Sequence, residues 1–438
     1  MAGEFALKFL LGCVLLLCAG HSGFARNIYD GSQVIRITSR DQSDIDWLRT
    51  FHNTYEDKLD FWLEPSQIVS RPVDVLVPKS MIREIRGVLT GNAMDFKVNI
   101  ADVQGVINKQ FMRMAGRNKP SALNGFDYSV YHPYDEIRQW VIDMGAEHAD
   151  IVSQFLVTTS YEGREMRGLK ISVSSGPNKK SIWFEGGIHA REWVSPATVM
   201  YITNQLVTDY KANEQRVVDI LNNYDIYIVP SLNVDGYVYT WQTERLWRKT
   251  RAPQPAEYGG CVGVDGNRNW PYEWGGKGAS PWSCSNTFRG PNPLSEVEMK
   301  GLTDYALARA KEQEFRLFID WHSYSQLYLA PWSYDMNAEL PPESPDQMAA
   351  ADAAVTAIKA VHGMDYVYGP SARLLYEASG NSKDWGFKGL GAKYSYVVEL
   401  RDDGEYGFLL PEDQIIPCAE ENYAAALALA EFIHSNDP

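Results

Sequence analysis

Apolar and polar positions alternate in two different rhythms along this chain. From residue 34 to residue 100 the apolar runs are short and two helical stripes interrupt them. Val34-Ile35-Arg36-Ile37 reads as a strand, and Asp44 to Glu56 as a helix with Trp47, Leu48 and Phe51 on one side. Leu59 to Leu63 and Val73 to Val77 read as two further strands. Ser80 is placed to cap a helix whose Ile82, Ile85 and Leu89 share a stripe, and Phe96 to Ile100 reads as the closing strand. The order β-α-β-β-α-β predicts a small α+β unit of the ferredoxin-like split pattern. No cluster of catalytic residue types falls inside it.

After Tyr131 the rhythm lengthens. Tyr134 to Ala149 reads as a helix, and Phe155 to Val157 and Gly168 to Val173 as strands. Apolar runs follow at Ile182 to Phe184, Ile226 to Val229, Leu317 to Trp321 and Tyr394 to Val398. Helical stretches lie at Pro196 to Tyr210, Glu296 to Lys311, Asp346 to Val361 and Asp413 to His434. Buried strands alternating with amphipathic helices predict an α/β fold: a mixed, mostly parallel, doubly wound sheet with helices on both faces. Ligands in such sheets sit beyond the carboxyl ends of strands. His189, Asn233, His322 and Glu399 all fall at or just past such ends, so all four are expected at one cleft. Between the two blocks, Met112 to Pro120 is short, basic and loop-like. It reads as a linker in which Arg117 is a candidate cut for a trypsin-like protease, with an uncut linker as the alternative. Lys119 precedes proline and is protected from the same cut.

Composition narrows the classes. A length of 438 residues with 45% apolar and 22% charged positions fits a globular protein of two or more domains. The net charge of −15 argues against a nucleic-acid partner. Phe5 to Leu17 is nearly all apolar and small residues follow, so residues 1–25 read as a secretory signal cleaved after Ala25. That run is short for a membrane span, and no later run is longer. A secreted, extracellular protein with no membrane partner is expected. Of five cysteines, Cys13 and Cys18 leave with the signal. Cys261 and Cys284 read as a disulfide in an oxidising compartment; a two-cysteine metal site is the rival reading, though no nearby histidine completes it. Cys418 is left as a buried free thiol.

The chemistry concentrates at His189-Ala190-Arg191-Glu192-Trp193, between an apolar strand with two glycines and a helix start. On a first helical turn, residues three apart share a face. An imidazole and a carboxylate so placed are two of the three protein ligands of a His₂Glu zinc site. His322, at the end of a buried strand, is a candidate third ligand, against the bland reading of a satisfied core histidine. Asp265 is placed to accept the second ring nitrogen of His189. Glu399 ends another buried strand, where a lone carboxylate is costly unless it has a partner or a task; general base to a metal-activated water is such a task.

Six blocks in this order resemble the pancreatic-type zinc metallocarboxypeptidases of the A/B subfamily. They are His189-x-x-Glu192, Arg245 to Arg251, Asp265 to Trp270, His322 to Gln326, Tyr376 to Gly380 and Glu399 to Asp402. The resemblance implies a signal (1–25), an activation pro-domain (26–117) and a catalytic domain (118–438). It implies one zinc ion held by His189, Glu192 and His322 with water in the fourth position. Glu399 would be the base, and Arg248 would stabilise the oxyanion. Asn267, Arg268 and Tyr376 would grip the terminal carboxylate of a peptide or protein substrate. Arg191 would serve an outer subsite, and Tyr324 belongs with the substrate-binding residues. A trypsin-like protease would release the enzyme near Arg117, in a compartment such as the digestive lumen. The Cys261–Cys284 pairing also matches the family. Non-proline cis bonds are implied at Ser323-Tyr324, Pro331-Trp332 and Arg401-Asp402.

Lys383 stands at the family's specificity position, apolar in A-type and aspartate in B-type enzymes. A pocket-floor ammonium predicts a preference for C-terminal glutamate. If Lys383 instead snorkels to solvent, an A-type pocket lined by Leu329, Ser371, Leu375 and Val397 remains. Arg373 lies close by in sequence and is a possible sharer of the role. An inactive binding module would have lost a zinc ligand or the base, and none is lost here.

Overall fold

The computed structural model describes residues 28–116, 123, 125–173 and 179–437. The expected signal and Arg117 lie outside the described residues. In the small unit, β1 (Gln33–Thr38), α1 (Gln42–Tyr55), β2 (Asp60–Leu63), β3 (Pro72–Val77), α2 (Ile82–Gly91) and β4 (Asp95–Ile100) follow one another, and α3 (Val103–Ala115) leads out. The strands pair antiparallel in the order β2-β3-β1-β4, the ferredoxin-like split pattern. Period-two alternation sorts the two faces of this sheet. Ile35 and Ile37 of β1 and Val73, Val75 and Val77 of β3 close a core with Leu48, Phe51, Ile85 and Leu89 of the helices. Val34 and Leu76 turn the other way and join the large core together with Trp62. The acid in the middle of β3, Asp74, is therefore delivered to the same outer side.

Asp41 and Asp102 cap α1 and α3 through their side chains. Ser80 does not cap α2. Pro78 starts a 3₁₀ turn over Lys79–Met81, so Ser80 is already inside a turn when α2 begins at Ile82 without a side-chain cap.

The large unit begins with α4 (Tyr134–Glu147), β5 (Val152–Thr159), β6 (Glu165–Ile171) and β7 (Lys180–Gly186). Next come α5 (Val194–Lys211), α6 (Gln215–Asn223), β8 (Tyr224–Val229), α7 (Val234–Gln242) and α8 (Val297–Ala310). Then follow β9 (Phe315–Ser323), β10 (Leu327–Ala330), α9 (Ser344–His362), β11 (Val367–Pro370) and α10 (Ser371–Leu374). The last elements are α11 (Ser382–Lys388), β12 (Tyr394–Leu400) and α12 (Ile415–Asn436).

One eight-stranded sheet holds them in the order β11-β10-β12-β9-β7-β8-β6-β5. Its centre, β12-β9-β7-β8, is parallel; β10 is antiparallel to β12, and β6 and β5 are antiparallel at the other edge. Helices cover both faces, as the alternation of strand and helix predicts. Trp183 and Phe318 meet Tyr305 of α8 and Trp385 of α11, while α5 packs on the central strands and on α12. The central strands are buried on both sides, which is why they read as unbroken apolar runs. The edge strands β10 and β11 escape that reading. Only three residues separate β10 from β9, and Val367 in β11 is exposed.

Cys261 and Cys284 are bonded and Cys418 is a buried free thiol. The three expected non-proline bonds are cis. Among the described residues no helix is long and apolar enough to cross a membrane. The disulfide closes a loop of sequence separation 23. Replacing both cysteines by serine is expected to lower the unfolding free energy by about 3 kcal/mol. Denaturant titration checks this; an unchanged midpoint would mean that loop closure contributes nothing.

Candidate active site

Strand β7 ends at Gly186, and Gly187 turns the chain with φ of 68°, where a Cβ would lie 3.1 Å from Pro196. The loop beyond carries His189 and Glu192. They do not sit on the first turn of a helix, because α5 starts only at Val194. A tight turn does the same work: Glu192 N–H donates to the His189 carbonyl at 3.3 Å. His189 Nδ1 thereby comes within 2.7 Å of Glu192 Oε1. Strand β9 brings His322 from the other side. Its Nδ1 is 3.1 Å from His189 Nδ1 and 3.2 Å from Glu192 Oε2. All three side chains are buried, with one ligand atom of each inside 4.8 Å of the others.

The far nitrogen of each ring faces a carboxylate. His189 Nε2 is 3.0 Å from Asp265 Oδ1, and His322 Nε2 is 2.8 Å from Asp320 Oδ2. With each ring proton on that side, both Nδ1 atoms point lone pairs at one another and at a carboxylate. Such a set is repulsive by itself and complementary to a cation. Ligands about 2.0–2.1 Å from a tetrahedral zinc lie about 3.3 Å apart, so the donor set fits one ion of that size. Burial pushes Glu192 up, but the two rings in their protonated form, as a cation would in their place, outweigh it and hold the carboxyl below its usual range.

Asp265 is more than an acceptor for His189. Its Oδ2 takes Arg248 Nη2 at 2.8 Å and its Oδ1 takes the Asn267 N–H at 2.9 Å. Burial pushes Asp265 up, and Arg248, His189 and Arg268 reverse this to hold it well below the carboxylate range. Arg268 lines the cleft with Nε on the Gly278 carbonyl and Nη1 on that of Asn267. Asn267, Tyr376 and Lys383 line the same cleft. Glu399 of β12 is the register partner of His322, and its carboxylate makes no hydrogen bond to the described residues. Burial pushes it up to about 8; His322 and Arg248 pull it down and Glu192 adds to the rise. A cation on the neighbouring donors lowers it from there.

Lys383 does not snorkel. It is 3% exposed, and its ammonium donates to Ser333 Oγ and to Asn381 Oδ1. Leu329, Leu375 and Val397 form an apolar wall of the same cleft, and Ser371 lines it as well. Arg373 lies elsewhere, on the carbonyls of Met336 and Ala338. Asn233 also misses the cleft. It caps α7 through Gly236 N–H at 3.0 Å and gives its amide to the Lys249 carbonyl at 2.9 Å, steadying the backbone next to Arg248.

The small unit covers the cleft mouth with Trp62 and Leu63, leaving about 60 Å³ of water-accessible space, room for a few waters. Two of its acids hold groups expected to meet substrate. Asp60 takes Arg191 Nη1 at 2.7 Å, and Asp74 takes the Tyr324 hydroxyl at 2.7 Å while paired to Arg36 at 2.6 Å. Trp62 packs on Phe408 with ring centroids 5.1 Å apart. Asp60, Asp74 and Asp320 belong to none of the six blocks that carry the family resemblance. Asp320 had a usable signal, because two-residue spacing on a strand puts it on the His322 face. Asp74 had a similar one, an acid inside the apolar run Val73 to Val77, and Asp60 had none.

Known proteins share this architecture. Residues 137–425 match the family described as zinc carboxypeptidase, and residues 35–110 match the one described as carboxypeptidase activation peptide. Carboxypeptidase A4 of Mus musculus is 37% identical over 430 residues, 98% of this chain and 100% of that protein. Carboxypeptidase A1 of Bos taurus is 37% identical over 437 residues, 100% of each. Among solved structures, thrombin activatable fibrinolysis inhibitor is similar with a TM-score of 0.82 and 33% identity, over 93% of this chain and 100% of that one. Carboxypeptidase A from Helicoverpa armigera gives 0.83 and 26%, over 94% and 99%.

The paired replacement Asp60→Ala and Asp74→Ala leaves Arg191 and Tyr324 without acceptors. It is expected to weaken the hold of the small unit by about 2 kcal/mol, about 30-fold in opening. Hydrogen exchange of β2 and β3 in the full chain reads this; unchanged exchange would mean that these two acids do not hold the unit in place.

Proposed function

The chain belongs to the zinc carboxypeptidase family, and from that premise we propose that it is the secreted zymogen of an enzyme that removes the C-terminal residue of peptides and proteins. The carrying observation is the meeting of two imidazole Nδ1 atoms and one carboxylate beside Glu399, a carboxylate without a hydrogen-bond partner among the described residues. Zinc, when bound, polarises the scissile carbonyl and makes water a nucleophile near neutral pH. His189, Glu192 and His322 hold it, and Asp265 keeps the His189 ring turned toward it. Glu399 takes the proton of the attacking water and passes it to the departing amine. Arg248, fixed by Asp265, presents a guanidinium where negative charge develops on the carbonyl oxygen. Arg268, with Nε and Nη1 engaged by carbonyls, offers Nη2 to the terminal carboxylate of the substrate, joined by Asn267 and Tyr376. Arg191 and Tyr324 serve outer subsites once Asp60 and Asp74 are withdrawn. Residues 26–117 act as the activation segment and 118–438 as the enzyme, with a trypsin-like cut near Arg117.

Relatives named A-type carboxypeptidases favour an A-type preference over the expected glutamate preference. The apolar wall of Leu329, Leu375 and Val397 supports it. The charge around Lys383 is mixed, since Asp384, Glu399 and Asp320 offset it while Arg268 adds to it. We therefore put aliphatic and aromatic C-terminal residues first. One observation keeps the glutamate reading as the second: the Lys383 ammonium is inside the cleft wall and not in solvent.

Removing metal with a chelator is expected to abolish C-terminal release, and zinc to restore it. Glu399→Gln is expected to keep zinc and lose about 10²–10⁴-fold in kcat. A variant that loses zinc as well, or keeps its rate, would take the base role from Glu399.

The kcat/KM values for peptides ending in Phe, Leu, Glu and Lys separate the two specificities. The A-type reading expects Phe and Leu to outpace Glu at every pH. Burial pushes Lys383 down to about 8, so its ammonium is charged at pH 7 and neutral above that value. Under the glutamate reading, Glu leads at pH 7, and its lead fades as pH rises through about 8 and disappears in Lys383→Ile.

A further inference from the structure

We propose that Asp320 is a positioning residue that ties the third metal ligand to the helix carrying the specificity position. This rests on the reading of His322 as a metal ligand. Asp320 and His322 are two apart on β9 and share a face. Asp320 is fully buried, and one oxygen, Oδ2, takes both of its bonds. The first is with His322 Nε2 at 2.8 Å and the second with the Ser382 hydroxyl at 2.6 Å. Ser382 opens α11, one residue before Lys383, and gives its N–H to Asn267 Oδ1 at 2.8 Å. Asn267 Nδ2 also lies 3.3 Å from His322 Nε2, a contact between two donors once the Nε2 proton is given to Asp320, so Asn267 is tied to the set through Ser382.

Among the described residues Asp320 Oδ1 has no hydrogen bond, while Oδ2 is committed to a ligand ring and a helix start. Burying that carboxylate is costly by itself. The cost is offset only where a positive group stands behind the ring it holds, which is where Nδ1 faces the cation site. A carboxylate behind an imidazole fixes its orientation and raises its basicity as a ligand. Asp265 does this for His189; Asp320 makes the arrangement two-sided. Through Ser382 and Asn267 the same carboxylate also fixes the start of α11 and one of the groups facing the substrate's terminal carboxylate.

The test uses the full chain. Zinc affinity of the parent and of Asp320→Asn is measured by competition with a chromophoric chelator, beside the thermal midpoint of the metal-free proteins. The expected result is 10–100-fold weaker zinc binding, an unchanged metal-free midpoint and a shifted visible spectrum of the Co²⁺ form. Zinc affinity within twofold of the parent would overturn the proposal while leaving the metal centre in place. A parent that binds no zinc would overturn both. Should Asp320→Asn fail to fold, the parent loaded with ¹¹³Cd and ¹⁵N-histidine decides. Coupling of cadmium to His322 Nδ1, with an exchange-protected proton on Nε2, supports the role; cadmium on Nε2, or no proton there, refutes it.

Discussion

Lone pairs brought together in a dry interior repel, and this chain brings three of them together. His189 and His322 face each other through Nδ1 at 3.1 Å with a Glu192 oxygen beside both. Asp265 and Asp320 stand behind the rings and add two more buried carboxylates. Among the described residues only the Ser323 N–H, which donates to Glu192 Oε2 at 3.1 Å, reaches the point at which the three donors meet, and no charged side chain does. Arg248 balances Asp265 on the outer side only. A divalent cation is the group that turns this arrangement from a cost into a stabilising one. The other functional positions follow from where that ion sits.

The parallel centre of the sheet makes the assembly possible. β7, β9 and β12 are neighbours running the same way, so their carboxyl ends open on one side. The ligand loop after β7, His322 on β9 and Glu399 on β12 are thereby adjacent in space, although 133 residues separate His189 from His322. Strand register does the fine placement: Glu399 lies directly opposite His322. The same geometry explains why Asn233 stands aside. Its strand, β8, is one step further out, and its side chain is consumed by the cap of α7.

The small unit uses a matching device. Period-two alternation in β3 turns three valines inward and Asp74 outward, onto Tyr324. Asp60 reaches Arg191 in the same way. Two acids of an otherwise ordinary α+β unit, Asp74 fully buried and Asp60 partly buried in the contact, are enough to occupy the outer groups of the cleft, and Trp62 and Leu63 line its mouth. Holding the cleft shut therefore needs no change inside it. Inside, Lys383 is met by Ser333 and Asn381 with Asp384 nearby, a polar network beside an apolar wall of the cleft.

The sequence alone carried the fold class, because buried parallel strands and amphipathic helices have different periods and each was long enough to show its own. It also singled out the groups that meet in the cleft, since His189 with Glu192, His322 and Glu399 are chemically costly groups placed at the ends of apolar runs. Tertiary structure decided what spacing could not. It moved His189 and Glu192 from a helix into a turn, put Ser80 inside a 3₁₀ turn, and turned Asn233 away from the cleft. It showed that Lys383 is buried and hydrogen-bonded, which no residue count reveals, because a long flexible side chain can reach either water or a pocket. It also paired Asp60 and Asp74 with residues far along the chain, contacts set by how one sheet face docks on another. Local pattern fixes which groups are costly to bury; only packing decides which partner meets each of them.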